Sequence, residues 1–473
     1  MPDLSAIVKA YDIRGVVGDQ LDEPTARALG AATARLVATD TPAPGAVVVG
    51  RDMRDSSPAL AAAFADGVTG QGLDVVDIGL ASTDMLYYAS GSLGLPGAMF
   101  TASHNPARYN GIKLCRAGAV PIGQDSGLAT IRDDAARLLG EGVPATGTGT
   151  VRREDMLTGY ARYLRELVDL STLAGAPELT VVVDAGNGMG GHTVPTVFDG
   201  LHVRVVPLYF ELDGTFPNHE ANPLDPANLV DLQKAVVAEG ADLGLAFDGD
   251  ADRCFAVDER GDAVSPSAIT GLVAARELAR AQAAGETDVA VIHNLITSRA
   301  VPELVAEHGG RPVRTRVGHS FIKQTMAETG AVFGGEHSAH YYFRDFWKAD
   351  SGMLAALHLL AALGEQRAAA AASGTVAPLS GLMAGYDRYA ASGEINSTVA
   401  DQAAKVAEIE SLYGPRDGVE LDRLDGLTVS LADGSWFNLR ASNTEPLLRL
   451  NVEAADDAAV RALVDEVLAV VRA

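Results

Sequence analysis

Three short runs of β-branched residues constrain the fold of this 473-residue chain more than any other feature. They are AVVVGRD at 46–52, TVVVDAGNG at 180–188 and AVIHNLITS at 290–298. Such runs end in glycine or polar loops, and Ala-rich helical segments follow, an alternation typical of α/β units. A chain of this length exceeds one hydrophobic core. The pattern therefore predicts three similar α/β domains in tandem.

The C-terminal part of the chain has a different pattern. The segment LTVSLADGSWFNLR carries an Asp433-Gly434 hairpin signal, LLRLNVEA adds a strand, and residues 460–473 have the period of an amphipathic helix. We expect a small antiparallel α+β domain there. Turn-rich stretches at 140–149, 258–266 and 368–378 mark the boundaries, so the predicted domains are 1–148, 149–258, 259–372 and 373–473. We expect mixed sheets in the first three domains, and all four domains around a central cleft.

Charge and composition exclude several classes of protein. The formal net charge is −25, which argues against nucleic acid and anionic membrane surfaces as partners. The N-terminus lacks a basic segment followed by an apolar run, and no apolar stretch reaches the roughly 18 residues of a membrane span. Only two cysteines, Cys115 and Cys254, are present, which suits a reducing cytoplasm. The sequence does not determine the oligomeric state, and we expect a monomer or weak homo-oligomer.

The segment TASHNPARYNGIK at 101–113 places Ser103 among His104, Arg108 and Lys113. The strand-like run GAMF precedes it, and an Asn-Pro pair prevents a helix from starting at once. Ser103 is therefore predicted on a tight loop at a strand end, where open α/β sheets bind ligands. The basic neighbours suit a phosphate. The tetrapeptide SHNP alone is equally compatible with an ordinary turn.

The segment FDGDADR at 247–253 carries three alternating carboxylates. Small residues between Asp248, Asp250 and Asp252 let the chain curl and turn the carboxylates inward, where they would need a cation. All-oxygen ligands suit Mg²⁺. A calcium loop of the EF-hand type requires glycine at position six, where Arg253 stands, and this departure argues against such a loop. A solvated acidic turn is the simpler alternative.

Two further segments carry polar groups suited to a sugar phosphate. In GGEHSAH at 334–340, Glu336 and Ser338 alternate on a glycine-hinged loop after the short strand AVF, so both side chains can face a sugar. In RASNTEP at 440–446, Arg440 with Ser442, Asn443 and Thr444 offers a cradle of donors for a phosphate dianion. Taken singly, each is also compatible with an ordinary polar turn.

These four segments, together with YDIRG at 11–15 and TRVGHSFIK at 315–323, resemble motifs of the α-D-phosphohexomutases, in family order. The resemblance implies that Ser103 carries a phosphoryl group, that a phosphate oxygen on Ser103 completes the Mg²⁺ site of the three aspartates, and that Arg14 holds this region. It implies Lys113 or His319 as the proton acceptor. The substrate-binding residues it implies are Tyr11, His104, Arg253, Glu336, Ser338, His340, Arg440, Ser442, Asn443 and Thr444. Many members have glycine where Ala339 stands here.

The resemblance implies a mutase that moves a phosphoryl group between the 1 and 6 positions of a hexose. We expect mannose 6-phosphate and mannose 1-phosphate as substrates, glucose phosphates as well, and hexose 1,6-bisphosphate as intermediate and activator. A phosphoglucosamine mutase is an alternative, although Tyr109 and His337 stand where those enzymes tend to have Asp and Gln. A serine-dependent metal phosphatase and a non-enzymatic binding protein are alternatives from other classes.

Overall fold

The computed structural model describes residues 3–375, 377–441 and 447–473, and for His319 and Ser320 it describes the backbone alone. The chain divides into two units. The first comprises Met1–Val264 and Ser338–Leu382, and the second Ser265–His337 and Met383–Ala473.

The N-terminal part of the first unit is built on a mixed seven-stranded sheet. Its strands are β1 (Ile13–Val16), β2 (Ala46–Arg51), β3 (Asp74–Leu80), β4 (Gly97–Phe100), β5 (Tyr109–Arg116), β6 (Val120–Pro121) and β7 (Val151–Arg153). The helices are α1 (Leu4–Ile7), α2 (Glu23–Val37), α3 (Ser57–Thr69), α4 (Thr83–Leu93) and α5 (Leu128–Glu141). The order is β1-β5-β4-β2-β3-β7, with β6 beside β5.

Strand β2 explains why this region forms a sheet covered on both faces. Its residues Val47, Val48 and Val49 are all buried, as a continuous apolar run in a parallel sheet requires. Strands β2 and β4 are parallel neighbours. Their carboxyl ends therefore meet at one edge, which brings the segment after Arg51 close to the segment after Phe100.

A second mixed sheet follows in the first unit. Its strands are β8 (Leu179–Asp184), β9 (Val203–Leu208), β10 (Leu243–Phe247), β11 (Cys254–Asp258) and β12 (Ala263–Val264), and its helices are α6 (Leu157–Leu167), α7 (Gly190–Phe198) and α8 (Val230–Glu239). The order is β12-β11-β10-β8-β9. Strand β8 is parallel to β9 and β10, whereas β10 and β11 form an antiparallel hairpin. The turn of that hairpin is the acidic segment 248–253.

The third α/β region begins in the second unit with parallel strands. They are β13 (Ala290–Asn294), β14 (Arg311–Thr315) and β15 (Phe333–Gly335), accompanied by α9 (Pro266–Ala283), α10 (Ala300–Glu307) and α11 (His319–Thr329). The strand predicted at 331–333 lies two residues later, so the glycines expected to form a hinge are strand residues. A Cβ on Gly335 would lie 2.4 Å from the Thr270 side chain of α9. Glycine is used here for close helix packing.

The chain returns to the first unit at Ser338. There it forms the antiparallel pair β16 (Tyr341–Phe343) and β17 (Ala349–Asp350), then α12 (Gly352–Ser373) and α13 (Leu379–Met383). Residues 353–363 of α12 are all buried. Among the helices of the described residues, none combines the length and apolar character needed to cross a membrane.

The C-terminal region of the second unit is an antiparallel α+β fold, as predicted. Its strands are β18 (Ala390–Thr398), β19 (Glu420–Asp422), β20 (Leu427–Ser430), β21 (Trp436–Ala441) and β22 (Leu447–Ala454), in the order β18-β22-β21-β20-β19, with α14 (Gln402–Tyr413) and α15 (Asp457–Val471). The hairpin expected around Asp433-Gly434 joins β20 to β21. Helix α15 starts three residues before the predicted helix because Asp456 caps it, accepting from the Ala459 amide.

Short 3₁₀ turns complete the description; they lie at Ala117–Ala119, Gln124–Ser126, Ser171–Gly175, Pro226–Leu229 and Arg344–Phe346.

Candidate active site

Ser103 lies buried on the loop between β4 and β5, in a left-handed backbone conformation with φ of 51°. An L-residue pays roughly 1–2 kcal/mol for this conformation, so the loop must hold it. The Thr101 hydroxyl accepts a hydrogen bond from the Ser103 amide at 2.8 Å. The Asn105 amide donates to the Ala102 carbonyl at 3.0 Å and tightens the turn. As a result, the Ser103 side chain points to the second sheet of the same unit.

The Ser103 hydroxyl meets the acidic segment directly. Its Oγ donates to Asp248 Oδ2 at 2.9 Å. Asp248 follows the last residue of β10, and the two residues are 145 positions apart in the chain. The structure thus brings the two most informative sequence motifs into one site.

The three aspartates predicted as metal ligands converge, and all three are buried. Ala251 has a left-handed φ of 57°, which curls the turn between them. One carboxylate oxygen from each residue lies within 4.8 Å of the others, so the cluster could hold a metal ion. The alternative of a solvated acidic turn is therefore wrong.

Arg253 and Lys113 supply the nearest positive charge. Arg253 is buried, and its Nε donates to Asp248 Oδ2 at 2.9 Å. Burial still raises the pKa of Asp248 to about 7, although Arg253 opposes the rise. Lys113 Nζ forms ion pairs with Asp250 Oδ2 at 2.7 Å and Asp252 Oδ2 at 2.5 Å. Burial favours a lower pKa for Lys113, but the two carboxylates outweigh it and raise that pKa well above its ordinary value.

Two oxygens of this cluster are suited to a cation. Asp250 Oδ1 and Asp252 Oδ1 are buried and accept no hydrogen bond from the described residues. A buried carboxylate oxygen without a donor is costly unless a cation satisfies it. The donor set is entirely oxygen, which suits a hard divalent ion. The residues present therefore fit a metal of this kind.

His104 lies beside the serine, and Arg14 is hydrogen-bonded to the same loop. His104 Nδ1 lies 3.2 Å from Ser103 Oγ. Burial, with the charges of Arg253 and Arg14, lowers the pKa of His104 well below its ordinary value, so the imidazole is neutral near pH 7. Arg14 donates to Asn105 Oδ1 at 2.6 Å and to Asp12 Oδ2 at 2.6 Å. Its buried Nε has no hydrogen-bond acceptor among the described residues and is available to an anion.

Part of the predicted sugar loop also reaches this site. His340 Nε2 lies 3.9 Å from Asp252 Oδ1, and the Ser338 hydroxyl is 3.0 Å from His340 Nδ1. Arg253 and His340 form an isolated antiparallel bridge, which fixes this approach. Ala339 adopts a left-handed φ of 64°, the conformation that glycine would adopt more easily.

Other predicted residues lie in the second unit. Glu336 is buried, and its Oε1 accepts from Asn294 Nδ2 at 3.1 Å and from the Gly318 amide at 3.3 Å. Arg440 on β21 lies 3.7 Å from Glu394 Oε2 and 3.6 Å from Asp425 Oδ2.

Directly opposite Arg440 on β22 stands Arg449. Like charges opposite each other destabilise a strand pair unless an anion lies between them, and Glu394 contacts both. The sequence reasoning missed Arg449, although it lies within the predicted strand LLRLNVEA.

Several predicted residues remain predictions. Ser442, Asn443 and Thr444 lie outside the described residues, as does the side chain of His319, whose backbone begins α11. Tyr11 is half-buried just before β1. The roles given to all the predicted site residues likewise remain predictions.

Two supporting residues escaped the sequence reasoning. Thr83 at the start of α4 donates from its hydroxyl to Asp250 Oδ2 at 2.6 Å. Arg54 lies under the Ser103 loop, buried, with its Nη2 donating to the Ser103 carbonyl at 2.9 Å. A signal for Arg54 was available, because it follows the strand run AVVVGRD at the edge of the sheet where ligand loops gather.

Family models match this chain over nearly its full length. Three describe the alpha/beta/alpha domains I, II and III of phosphoglucomutase/phosphomannomutase and match residues 5–138, 158–261 and 266–378. A fourth, for the C-terminal domain, matches residues 394–470. The chain belongs to the phosphoglucomutase/phosphomannomutase family. The resemblance inferred from the motifs is thereby confirmed.

Relatives in the phosphoglucomutase/phosphomannomutase family align along almost the whole chain. "Phosphohexose mutases" of Xanthomonas campestris is 43% identical, with 96% of each chain covered. A phosphomannomutase of Escherichia coli is 38% identical, with 98% of each chain covered. The crystal structure of a phosphoglucomutase/phosphomannomutase family protein from Burkholderia thailandensis is 32% identical, has a TM-score of 0.83, and covers 100% of this chain and 98% of that one.

Family membership bears on the broader predictions. It confirms the fold class of three mixed α/β domains followed by an antiparallel α+β domain. It also confirms an isomerase of the hexose phosphate mutase type. The phosphatase and phosphoglucosamine mutase alternatives are not favoured. The four domain boundaries given from sequence remain predictions.

Proposed function

We propose that this chain interconverts mannose 6-phosphate and mannose 1-phosphate, and the corresponding glucose phosphates, through a phosphoserine at Ser103. The observation that carries the proposal is the 2.9 Å hydrogen bond from Ser103 Oγ to Asp248 Oδ2. It puts a nucleophilic oxygen directly against a buried carboxylate cluster that fits a divalent cation. The relatives named for phosphohexose and phosphomannose chemistry support the same substrates.

For the cofactor we propose Mg²⁺, held by Asp248, Asp250, Asp252 and an oxygen of the phosphate on Ser103. When bound, such an ion supplies charge neutralisation for the transferring phosphoryl group. The hydrogen-bond donors next to Ser103 come from the chain itself. Arg14 has a buried Nε ready for a phosphate oxygen, and Arg253 lies beside Asp248.

Two transfers make the reaction. In the first, a hydroxyl oxygen of the hexose monophosphate attacks phosphorus on phosphorylated Ser103. A new P–O bond to the sugar forms, the bond to Ser103 Oγ breaks, and the proton of the sugar hydroxyl passes to a base while Ser103 recovers one. The product is hexose 1,6-bisphosphate. In the second, Ser103 Oγ attacks the other phosphorus of the bisphosphate and gives its proton to a base. The P–O bond to the sugar breaks, the sugar oxygen regains a proton, and the isomeric monophosphate leaves the regenerated phosphoserine.

Different residues near Ser103 are candidates for the two proton transfers, one at the serine and one at the sugar hydroxyl. His104 is a neutral imidazole 3.2 Å from Ser103 Oγ, which suits exchange of the serine proton. Lys113 is held as an ammonium by two carboxylates, so it must lose a proton before it can accept one, and Asp250 and Asp252 oppose that loss. His319 stays the second candidate for the sugar proton.

We propose that Glu336, Ser338 and His340 contact sugar hydroxyls and that Arg440 contacts the phosphate that is not being transferred. Side chains that contact O3 and O4 of the sugar discriminate poorly between configurations at C2, and mannose and glucose differ only at C2. We therefore expect both sugars to react, and the overall family resemblance favours mannose. We place the enzyme in the cytoplasm, in agreement with its two buried thiols.

The test is a kinetic comparison of mannose, glucose and glucosamine 1-phosphates with Mg²⁺ and hexose 1,6-bisphosphate. We expect turnover of the first two and little of the third. The variant Ser103→Ala should lose nearly all turnover, and surviving turnover would overturn the proposal. Inorganic phosphate is measured in parallel, because its sustained release without isomerisation would indicate a phosphatase.

A further inference from the structure

The guanidinium of Arg54 is buried under the Ser103 loop, where backbone carbonyls take most of its hydrogen bonds. Nη2 donates to the carbonyls of Ser103 and Asn105 at 2.9 and 2.6 Å, and Nη1 to those of Pro106 and Tyr109, each at 3.0 Å. Nε donates to Asp52 Oδ2 at 3.1 Å. A guanidinium has five N–H donors. With all five engaged, Arg54 has none left for a substrate phosphate.

The carboxylate of Asp52 joins this arginine to the second support of the loop. Asp52 is buried and accepts from the amide of Arg54 and from the Ser57 hydroxyl, at 3.0 and 2.6 Å. It also accepts from the Thr101 hydroxyl. That same hydroxyl accepts from the Ser103 amide at 2.8 Å. One buried carboxylate therefore orients the groups that hold Ser103 by its amide and by its carbonyl.

We propose that Arg54 is a positioning residue for phosphoryl transfer: it fixes Ser103 in the left-handed conformation and aims Oγ at Asp248. This inference rests on the proposed role of Ser103. The left-handed conformation is unfavourable for serine, so the loop would relax without outside support. Relaxation would rotate Oγ away from the line of transfer without touching the groups that bind the sugar.

Lysine cannot replace this arginine. Its single ammonium has three donors at one point, whereas the four carbonyls and the carboxylate around Arg54 need a planar fork. Arg54→Lys keeps the charge and most of the volume and removes the fork. The variant thus tests geometry with little change in the local field.

The chain offers a matched control in Arg165 on α6. Its Nε donates to the Val197 carbonyl at 2.8 Å, and its Nη2 donates to the carbonyls of Thr196 and Asp199 at 2.8 and 2.6 Å. These bonds cap the end of α7, away from Ser103. Arg165→Lys therefore loses the same kind of bond without a link to the serine.

The experiment compares the two lysine variants in the full-length enzyme with Mg²⁺. A misplacement of about 1 Å in a reacting group can cost roughly 100-fold in rate. We expect Arg54→Lys to lower kcat by about that factor, with KM for the hexose phosphate little changed, because the lost interaction acts on the transfer step. Phosphorylation of Ser103 by hexose 1,6-bisphosphate should slow in parallel. Arg165→Lys should keep kcat. If Arg54→Lys loses no more kcat than Arg165→Lys, the proposal is overturned.

If Arg54→Lys fails to fold, a second variant still tests whether the supports of the Ser103 loop position Oγ. Thr101→Val preserves the shape and removes the hydroxyl that holds the Ser103 amide, so it should show the same fall in kcat at constant KM. An unchanged kcat would contradict the proposal. Ser103→Ala distinguishes failure of the proposed function from failure of the positioning role. Turnover by Ser103→Ala would refute the proposed function. Loss of turnover in Ser103→Ala together with wild-type kcat in Arg54→Lys would refute the positioning role alone.

Discussion

Gly249 of the acidic segment 248–253 packs against the backbone of the Ser103 loop, and its replacement gives a prediction with a defined size. A Cβ built on Gly249 would lie 2.5 Å from the Ser103 carbonyl oxygen. Carbon and oxygen atoms approach to about 3.3 Å in the closest favourable contacts. The substitution Gly249→Ala must therefore separate the two loops by about 0.8 Å. Its backbone has no left-handed φ, so alanine adds a steric effect and little conformational strain.

That separation acts directly on the hydrogen bond between Ser103 Oγ and Asp248. A shift of about this size in the reacting group corresponds to a loss of roughly 10- to 100-fold in kcat, or about 1.4–2.7 kcal/mol in the activation free energy. The crowded contact should also lower the free energy of unfolding by about 1–3 kcal/mol. We expect weaker binding of Mg²⁺ as well, because Asp248 moves with the loop.

The assay is steady-state conversion of mannose 1-phosphate, with Mg²⁺ affinity measured by calorimetry and stability by urea unfolding. Gly175→Ala is the control, since a Cβ there would meet no heavy atom of the described residues within 4 Å beyond Gly175 and its chain neighbours. If Gly249→Ala retained the kcat and Mg²⁺ affinity of Gly175→Ala, the serine and the aspartates would not work as one site.

Three further outcomes follow from the structure. Burial raises the pKa of Asp84 from its ordinary 3.8 to about 6. Protonation of Asp84 therefore stabilises the fold below pH 4, and that stability is lost as the pH rises through 6. In urea unfolding, the free energy of unfolding of the wild type, compared with that of Asp84→Asn, should rise by about 3 kcal/mol from pH 7 to pH 4. Thr83→Val removes the hydroxyl bonded to Asp250 and should weaken Mg²⁺ binding about 10- to 100-fold in calorimetry. Ala339→Gly relieves a left-handed alanine and should raise the free energy of unfolding by up to about 1 kcal/mol. If the affinity for the hexose phosphate stays unchanged, the strain at Ala339 has no function.

The sequence predicted those parts of the site whose chemistry lies within one segment. Ser103 with its basic neighbours, and Asp248 with the two aspartates that follow, each form a local pattern, and the Ser103 loop lies at a strand end as expected. The strand runs were also identified correctly, because buried parallel strands are continuously apolar.

The remaining parts depend on contacts between distant segments. Arg54 acts on carbonyls about 50 residues away, so its place after a strand run marks it as close to the ligand loops without showing which groups it binds. Lys113 was one of two predicted proton acceptors, but the fold places two carboxylates against it. Gly335 looked like a hinge, whereas its role is set by Thr270 on a helix formed by an earlier segment.

The most direct test of the central claim follows phosphate on and off Ser103 in a single turnover. The enzyme is phosphorylated with hexose 1,6-bisphosphate, freed of sugar, and mixed with excess mannose 1-phosphate and Mg²⁺. The phosphorylated peptides and the sugar bisphosphate are then quantified over time. We predict that phosphate leaves the Ser103 peptide at least as fast as kcat and appears in an equal amount of hexose bisphosphate. Phosphate that stays on Ser103 during turnover, or that is found on another residue, would contradict the account.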